Sequence, residues 1–453
     1  MNGAAGPWSG RRLHLLGVGG AGMSGYARAA HALGAQVSGS DAHSTPYLER
    51  LSADGIVRAC IGHAPGNVPA GEDVEVFYSS AVAEENPERR AARERGLAEL
   101  PRAELLAQLT SLRRTIAVAG THGKTTTASM LVHALRGAGL DPGWLIGAPI
   151  GDELANASWS EGEWLVVEAD ESDRSMLSLS VEIAVLTNVE LDHHATFASL
   201  AELNDAFRAF LALARRGIVA WERPELLALM APATDAERAA PVLFDVPEPI
   251  LVPDGSRFQW RGLEVRLAVP GAHNALNAAA ALEAARLAGA EVERAIAGLA
   301  GFHGAGRRFQ LLGSTASGAR VYDDYAHHPT EVAATLDAAR TLAHERLVAV
   351  FQPHLYSRTA LLARDFGRAL ARADVVVVLD IYPARERAED HPGVSGLRIA
   401  EAAADAAVGR PVYWLPGFAD AEPVLKGLLE EGDVCLVVGA GNVDGLARGL
   451  VGG

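Results

Sequence analysis

Cysteine and lysine are almost missing from this chain, and long apolar runs are missing altogether. Among 453 residues only Cys60 and Cys435 carry a thiol, which excludes a disulfide framework and a cysteine-built zinc site and fits a reducing compartment. The longest apolar runs, such as VVVVL at 375–379, are strand-length and far short of the ~20 residues a membrane helix needs. The opening MNGAAGPWSGRRLHLLGVGG has no uninterrupted apolar core followed by a cleavage site, so it does not read as a signal peptide. Positive charge is scarce, with 40 Lys and Arg against 56 Asp and Glu and a formal net charge of -16. A nucleic-acid surface needs clustered basic residues to displace phosphate counterions, so that partner is excluded. These absences predict a cytoplasmic protein with no nucleic-acid and no membrane partner.

The shortage of lysine is informative in itself. Of the 40 basic residues only Lys124 and Lys426 are lysine. A chain that writes nearly every positive charge as arginine has placed one lysine inside GTHGKT, at 120–125. A compact ammonium on a flexible stem reaches into a phosphate cage that a planar guanidinium would overfill.

The length implies two to four domains, at roughly 150 residues each. Three segments each open on an apolar strand and continue with alternating helical and strand patterns: RLHLLGVGGAGMSG from 12, TIAVAGTHGKTTTASML from 115, and VYDDYAHHPTEVAATL from 321. Strands alternating with helices predict an α/β protein with parallel, doubly wound sheets and ligands at the strands' carboxyl ends. Boundaries near 107 and 301 divide the chain into 1–107, 108–301 and 302–453. The proline-rich stretch 222–270, with RFQW and LEVRLAV, predicts a small antiparallel insert in the middle domain.

Gly17, Gly19 and Gly22 satisfy G-x-G-x-x-G after the strand LHLLGV, and Asp41 ends the next strand. Taken alone this is the dinucleotide fingerprint, with the glycines admitting a pyrophosphate and an acid about 20 residues on bonding a ribose. NAD is the naive ligand, but any nucleotide diphosphate can use the same turn.

In TIAVAGTHGKTTTASML the standard phosphate-loop pattern would put a glycine at 118, where Val118 stands. The mechanism survives this. Gly120 and Gly123 supply the permissive backbone, Lys124 the charge and Thr125 a hydroxyl for magnesium. Phosphoryl transfer also needs hard oxygen ligands for that cation. Glu168 ends the strand WLVVE, with Asp170, Glu171 and Asp173 just past it. Asn188, Glu190, Asp192, His193 and His194 follow the strand IAVL. Both clusters fall past strand ends of one expected sheet, where loop and ligands converge.

GVGGAGMSG, GTHGKTTT, EADESD, TNVELDHH, HNALNAAAA, GRRF, DDYAHHPTE and FQPHLYSRT together, in this order, resemble the Mur ligase family over nearly the whole chain. The resemblance implies three domains: an N-terminal Rossmann-like UDP-binding domain, a central P-loop ATPase with a parallel sheet, and a C-terminal Rossmann-like domain. It implies an ATP- and Mg2+-dependent amide ligase acting on UDP-N-acetylmuramate and L-alanine through an acyl phosphate. On that basis the glycine loop becomes a UDP site formed by Gly17, Gly19, Gly20, Gly22, Met23, Ser24, Asp41 and Ser80. ATP would meet Gly120, Thr121, His122, Gly123, Lys124, Thr125 and Thr126, with Asn274, Arg308 and Asp324 reaching it from later in the chain. Lys124, Glu168 and His193 would be catalytic, with Thr125, Glu168 and His193 on the metal. His327, His328 and Arg358 would close the amino-acid side, although His328-Pro329 also reads as a helix entry. Several members use a carbamylated lysine on magnesium, and this chain has no lysine from 126 to 425 to supply it. Two alternatives remain: a ligase that attaches a whole peptide to the same nucleotide sugar, and an NAD-dependent oxidoreductase using the loop at 17–22.

Overall fold

The computed structural model describes residues 6–150, 155–192, 196–230, 240–252 and 255–452. The chain forms two compact units, Met1–Asp245 with Asn277–Gly301, and Val246–Leu276 with Phe302–Gly453.

The first unit contains two sheets. Strands β1 (Arg12–Leu16), β2 (Gln36–Asp41), β3 (Arg58–Ile61), β4 (Val74–Tyr78) and β5 (Ala98–Pro101) pair in the order β3-β2-β1-β4-β5, all parallel. Parallel neighbours need crossovers, which the helices Ala21–Ala32, Pro46–Ala53 and Pro87–Glu94 supply. Local sequence starts two of these helices: Thr45 Oγ1 accepts from the Leu48 N–H at 3.2 Å, Asn86 Oδ1 from the Glu88 N–H at 2.9 Å, and each cap precedes a proline. The strand order reverses between β1 and β4, which places a ligand crevice at their carboxyl ends.

The second sheet contains β6 (Arg114–Ala119), β7 (Gly143–Ile150), β8 (Ala155–Ser158), β9 (Trp164–Glu168), β10 (Ile183–Leu186), β11 (Gly217–Trp221) and β12 (Val242–Phe244), ordered β12-β11-β10-β6-β9-β7-β8. Every pairing is parallel except β7 with β8. Ile116, Ala117, Val118 and Ala119 of β6 are wholly buried, as a parallel strand covered on both faces requires. Because β9 and β10 flank β6, the loops after all three strands open at one end of the sheet. The helix Ala21–Ala32 lies against β8, where Asn156 Nδ2 donates to Ser24 Oγ at 3.0 Å. The helix Arg102–Ser111 carries the chain from β5 to β6 and contains position 107.

The second unit opens with an antiparallel sheet of β13 (Ile250–Val252), β14 (Gly255–Trp260) and β15 (Leu263–Leu267). The small antiparallel element expected within 222–270 is therefore present, but it packs with this unit and not with the seven-stranded sheet of the middle domain in which it was expected, a docking that strand pattern alone does not encode. Strands β16 (Gln310–Ser314), β17 (Arg320–Asp324), β18 (Leu347–Phe351), β19 (Val375–Val378), β20 (Val412–Trp414) and β21 (Val434–Val438) follow in the order β16-β17-β21-β18-β19-β20. Only β16 with β17 is antiparallel. Among the described residues no helix is long and apolar enough to cross a membrane.

Candidate active site

The loop after β6 is built on two glycines in the left-handed region. Gly120 has φ +131°, and a Cβ there would lie 2.1 Å from Thr187 Oγ1; Gly123 has φ +82° and caps the helix Lys124–Gly137. No other residue type enters this turn without strain. The backbone and side chain of Asn188, in the loop after β10, hold the curve: the Thr121 N–H donates to Asn188 O at 3.0 Å, and the His122 N–H to Asn188 Oδ1 at 2.9 Å. Thr187 Oγ1 donates to His122 O at 2.6 Å, and His122 Nε2 lies 3.1 Å from Glu190 Oε2. Thr125 and Thr126 occupy the helix's first turn, where unpaired N–H groups and the helix dipole favour an anion.

Lys124 lies across the mouth of this turn. Its ammonium donates to Gly120 O at 2.6 Å and Thr121 O at 3.1 Å, and lies 2.9 Å from Glu171 Oε2. Burial alone would lower the lysine's pKa, but the Glu171 and Asp170 charges outweigh it and raise the value. The acids after β9 thus have distinct partners. Glu171 pairs with Lys124, whereas Asp170 and Asp173 both bind Arg102, at 3.1 and 2.6 Å. Partial burial costs the Asp170 carboxylate, yet Arg102 and Lys124 hold its pKa at about 2. Glu168, at the end of β9, accepts from the Gly147 N–H at 3.1 Å. His193 and His194 lie outside the described residues.

At the glycine loop, the Gly17 N–H donates to Ser40 O at 2.8 Å and the Gly19 N–H to Asp41 Oδ2 at 2.9 Å. Thr45 Oγ1 closes the turn on Gly19 O at 2.8 Å. Gly20 is the N-cap of the helix Ala21–Ala32, with Gly22 in its first turn. Met23 and Ser24 are buried on that helix, Ser24 accepting from Asn156, while Ser80 is exposed just past β4.

The second unit gathers most of the later candidates around one helix start. Asp324 Oδ2 accepts from the Phe309 N–H and Oδ1 from the Ala326 N–H, both at 2.7 Å; burial pushes its pKa up to about 6 against the opposing Arg308 charge. His328 caps the helix Pro329–Ala339, and Glu331 Oε2 accepts from the backbone N–H groups of His327 and His328 at 3.0 and 3.3 Å. Arg308 Nη1 stands 4.0 Å from Glu331. The His327 ring meets that of His354 edge-on at 5.9 Å, and His354 Nδ1 lies 3.3 Å from Arg358 Nη1. Asn274 Nδ2 donates to Pro270 O at 2.7 Å. Beside it, burial lowers the pKa of His273 to about 4.

Three residues at these sites were not selected from sequence. Asn277 Oδ1 accepts from Thr127 Oγ1 at 3.2 Å and faces Gly123; it stands three residues after Asn274 in the same HNALN motif. Arg102 has no motif around it. Arg307, the first arginine of GRRF, donates to Asp323 at 3.1 Å and to Gly439 O and Gly441 O at 2.8 and 3.1 Å, so it ties the loop after β21 to β17.

Comparison with known proteins bears on the same segments. Residues 12–114 match the Mur ligase family catalytic domain, residues 118–285 the Mur ligase middle domain, and residues 307–441 the Mur ligase glutamate ligase domain. A protein of Mycolicibacterium smegmatis named UDP-N-acetylmuramate--L-alanine ligase is 42% identical, covering 98% of this chain and 95% of its own. One of Rubrobacter xylanophilus with the same name is 43% identical, covering 95% and 97%. The crystal structure of the UDP-N-acetylmuramate-alanine ligase MurC from Thermotoga maritima superposes with a TM-score of 0.81 at 27% identity, covering 96% of this chain and 97% of that one. A murein peptide ligase from Psychrobacter arcticus gives 0.71 at 25%, covering 97% and 99%. With three α/β domains matched in order and near-complete coverage by relatives above 40% identity, the chain belongs to the Mur ligase family.

Proposed function

We propose that this chain is an ATP-dependent ligase that joins L-alanine to the lactyl carboxylate of UDP-N-acetylmuramate in peptidoglycan precursor synthesis. The observation that carries this is the phosphate loop with its single lysine, in a chain 42–43% identical over nearly its full length to alanine-adding relatives. A carboxylate resists attack by an amine because oxide would have to leave. Transfer of the γ-phosphoryl group makes an acyl phosphate, the amine attacks its carbonyl carbon, and phosphate departs as the amide forms. Catalysis then consists of holding anions in line and neutralising their charge.

In this reading the N–H groups at the start of the helix Lys124–Gly137, with Gly120, Thr121, His122 and Gly123, cradle the phosphates. Lys124 leaves Glu171 for the β and γ oxygens. Asn277 supports the turn through Thr127. Oxygen donors at Thr125 and Glu168 suit Mg2+, with His193 as a further ligand. Magnesium, when bound, would neutralise the γ-phosphate and the incoming carboxylate. Gly17, Gly19, Gly20, Gly22 and Ser80 would line the UDP site, Asp41 holding Gly19 in place. Met23 and Ser24 support that loop from inside the helix. Asn274, Arg308 and Asp324 would reach ATP, and His327, His328 and Arg358 the amino acid. In this reading the domains run 1–107, 108–301 and 302–453, with residues 246–276 packing with the last of these, and nucleotide substrates are what an enzyme of the cytoplasm draws on.

The likeness to a murein peptide ligase favours one second reading, a whole peptide as acceptor. Phosphate release with ATP, Mg2+ and UDP-N-acetylmuramate, measured with single amino acids and with a tripeptide, separates the two. Turnover that requires free alanine supports the main reading; turnover with the tripeptide alone replaces it, and none with either removes both.

A further inference from the structure

We propose that Arg102 is a further substrate-binding residue, whose guanidinium grips the diphosphate of the UDP-linked substrate at the glycine loop. This rests on the reading of residues 17–22 as the UDP site. Arg102 opens the helix Arg102–Ser111 directly after β5. Two of its nitrogens are committed: Nε donates to Asp173 Oδ2 at 2.6 Å and Nη2 to Asp170 Oδ2 at 3.1 Å. Both acids come from the segment after β9, so they fix the plane of the fork. The third nitrogen, Nη1, lies on the Gly22 side, where a Cβ built on Gly22 would be 3.2 Å from it and 3.9 Å from the Tyr26 hydroxyl that shares this corner.

Gly22 belongs to the first turn of the helix Ala21–Ala32, whose unpaired N–H groups point at whatever occupies the loop. An anion seated there meets backbone donors along the helix axis and the guanidinium from the side. Arginine suits that second contact because its planar fork can bind one pair of oxygens while presenting N–H groups to another. A fork already fixed by Asp170 and Asp173 loses little freedom on binding. The absence of a side chain at Gly22 is what lets Nη1 approach. Because Asp170 and Asp173 already balance the guanidinium's charge, the contact rests on the directed N–H groups of Nη1 rather than on a net positive patch. Asp170 also feels the Lys124 charge, so the UDP loop and the phosphate loop stand at two ends of one ionic cluster.

The test is calorimetric binding of UDP and of uridine, which lacks the phosphates, to the full-length protein. Arg102→Gln should raise the Kd for UDP at least about tenfold, the loss typical of a charge-assisted contact, and leave uridine within about twofold. Arg102→Lys should fall between, keeping charge without the fork. Asp173→Asn should retain the preference for UDP over uridine. The proposal is overturned if Arg102→Gln keeps the wild-type preference, if it weakens both ligands equally, or if Asp173→Asn loses the preference as fully. Should Arg102→Gln not fold, Arg102→Lys decides: an unchanged preference overturns the contact and a reduced one supports it. A wild-type protein that binds UDP no better than uridine fails differently, by overturning the reading of the loop itself.

Discussion

Lys124 and Glu171 form a closed ion pair, with Nζ 2.9 Å from Oε2 and 3.0 Å from Oε1 of a carboxylate that is almost fully buried. Removing the lysine has two consequences that can be separated. Lys124→Ala should abolish phosphate release, a loss of about 3 kcal/mol or more in transition-state stabilisation. It should also destabilise the first unit by about 3 kcal/mol, because Glu171 is left as an uncompensated buried charge. The double variant Lys124→Ala/Glu171→Gln should recover most of that stability and none of the activity. Chemical denaturation paired with a phosphate-release assay reads both quantities. Near-normal release by Lys124→Ala would remove the phosphate-loop assignment.

Glu168 accepts from the Gly147 N–H through Oε1, so glutamine preserves that bond and removes only the charge. Glu168→Gln should raise the Mg2+ concentration for half-maximal phosphate release at least about tenfold, since hard cations select charged oxygen ligands. The thermal midpoint should move little. A magnesium titration that superposes on the wild type would take Glu168 out of the metal site.

What sequence shows of this site is what is local in the chain. The strand β6, the turn at Gly120 and Gly123, and the helix start at Lys124 are contiguous, so their chemistry can be read directly. The acids after β9 were locatable for the same reason, but not their partners. Asp170 meets an arginine 68 positions earlier, and Thr127 meets Asn277 150 positions later. Those pairings follow from strand order, β10-β6-β9, and from helix docking, neither of which periodicity encodes. The carboxylates cluster in sequence, but only the structure divides their partners: two hold Arg102 and a third holds Lys124. His328 illustrates the converse: its place before Pro329 announced a helix entry, and the histidine does cap that helix.

Gly123 offers an internally controlled test of the turn. An alanine there would adopt φ +82° and bring its Cβ within 2.6 Å of Asn277 Oδ1. Gly55 has φ +68° with nothing within 4 Å, so Gly55→Ala carries the backbone strain alone, about 1–2 kcal/mol. Gly123→Ala should cost more than Gly55→Ala by about 1 kcal/mol or more, because Asn277 must move off Thr127. It should also weaken ATP binding, which Gly55→Ala should not. Denaturation midpoints and nucleotide titrations of the two variants check this; equal effects would mean that Asn277 yields freely.

The second unit carries a buried carboxyl and a half-buried imidazole whose titrations oppose each other. Burial holds the Asp324 carboxyl at about 6 against an ordinary 3.8, and the His273 imidazole at about 4 against 6.5. A raised carboxyl stabilises the fold below its unfolded pKa, and that contribution is lost as pH rises through 6. A depressed histidine stabilises it above 6.5, and its contribution is lost as pH falls through 4. Each shift corresponds to about 3 kcal/mol by linkage. Between pH 4 and 6 these two slopes oppose each other in the wild type, as do those of Asp323, raised by burial, and Asp374, whose burial is outweighed by its Arg340 bond, so wild-type stability should change little there. Single variants unmask them. Asp324→Asn should leave the histidine slope, with stability falling as the solution is acidified from pH 6.5 to 4. His273→Gln should leave the carboxyl slope, with stability rising over the same titration. Hydrogen exchange at the amides of β18 and β21, followed against pH, reports the unit directly. Slopes of the same sign in both variants would show that these two groups do not set its pH dependence.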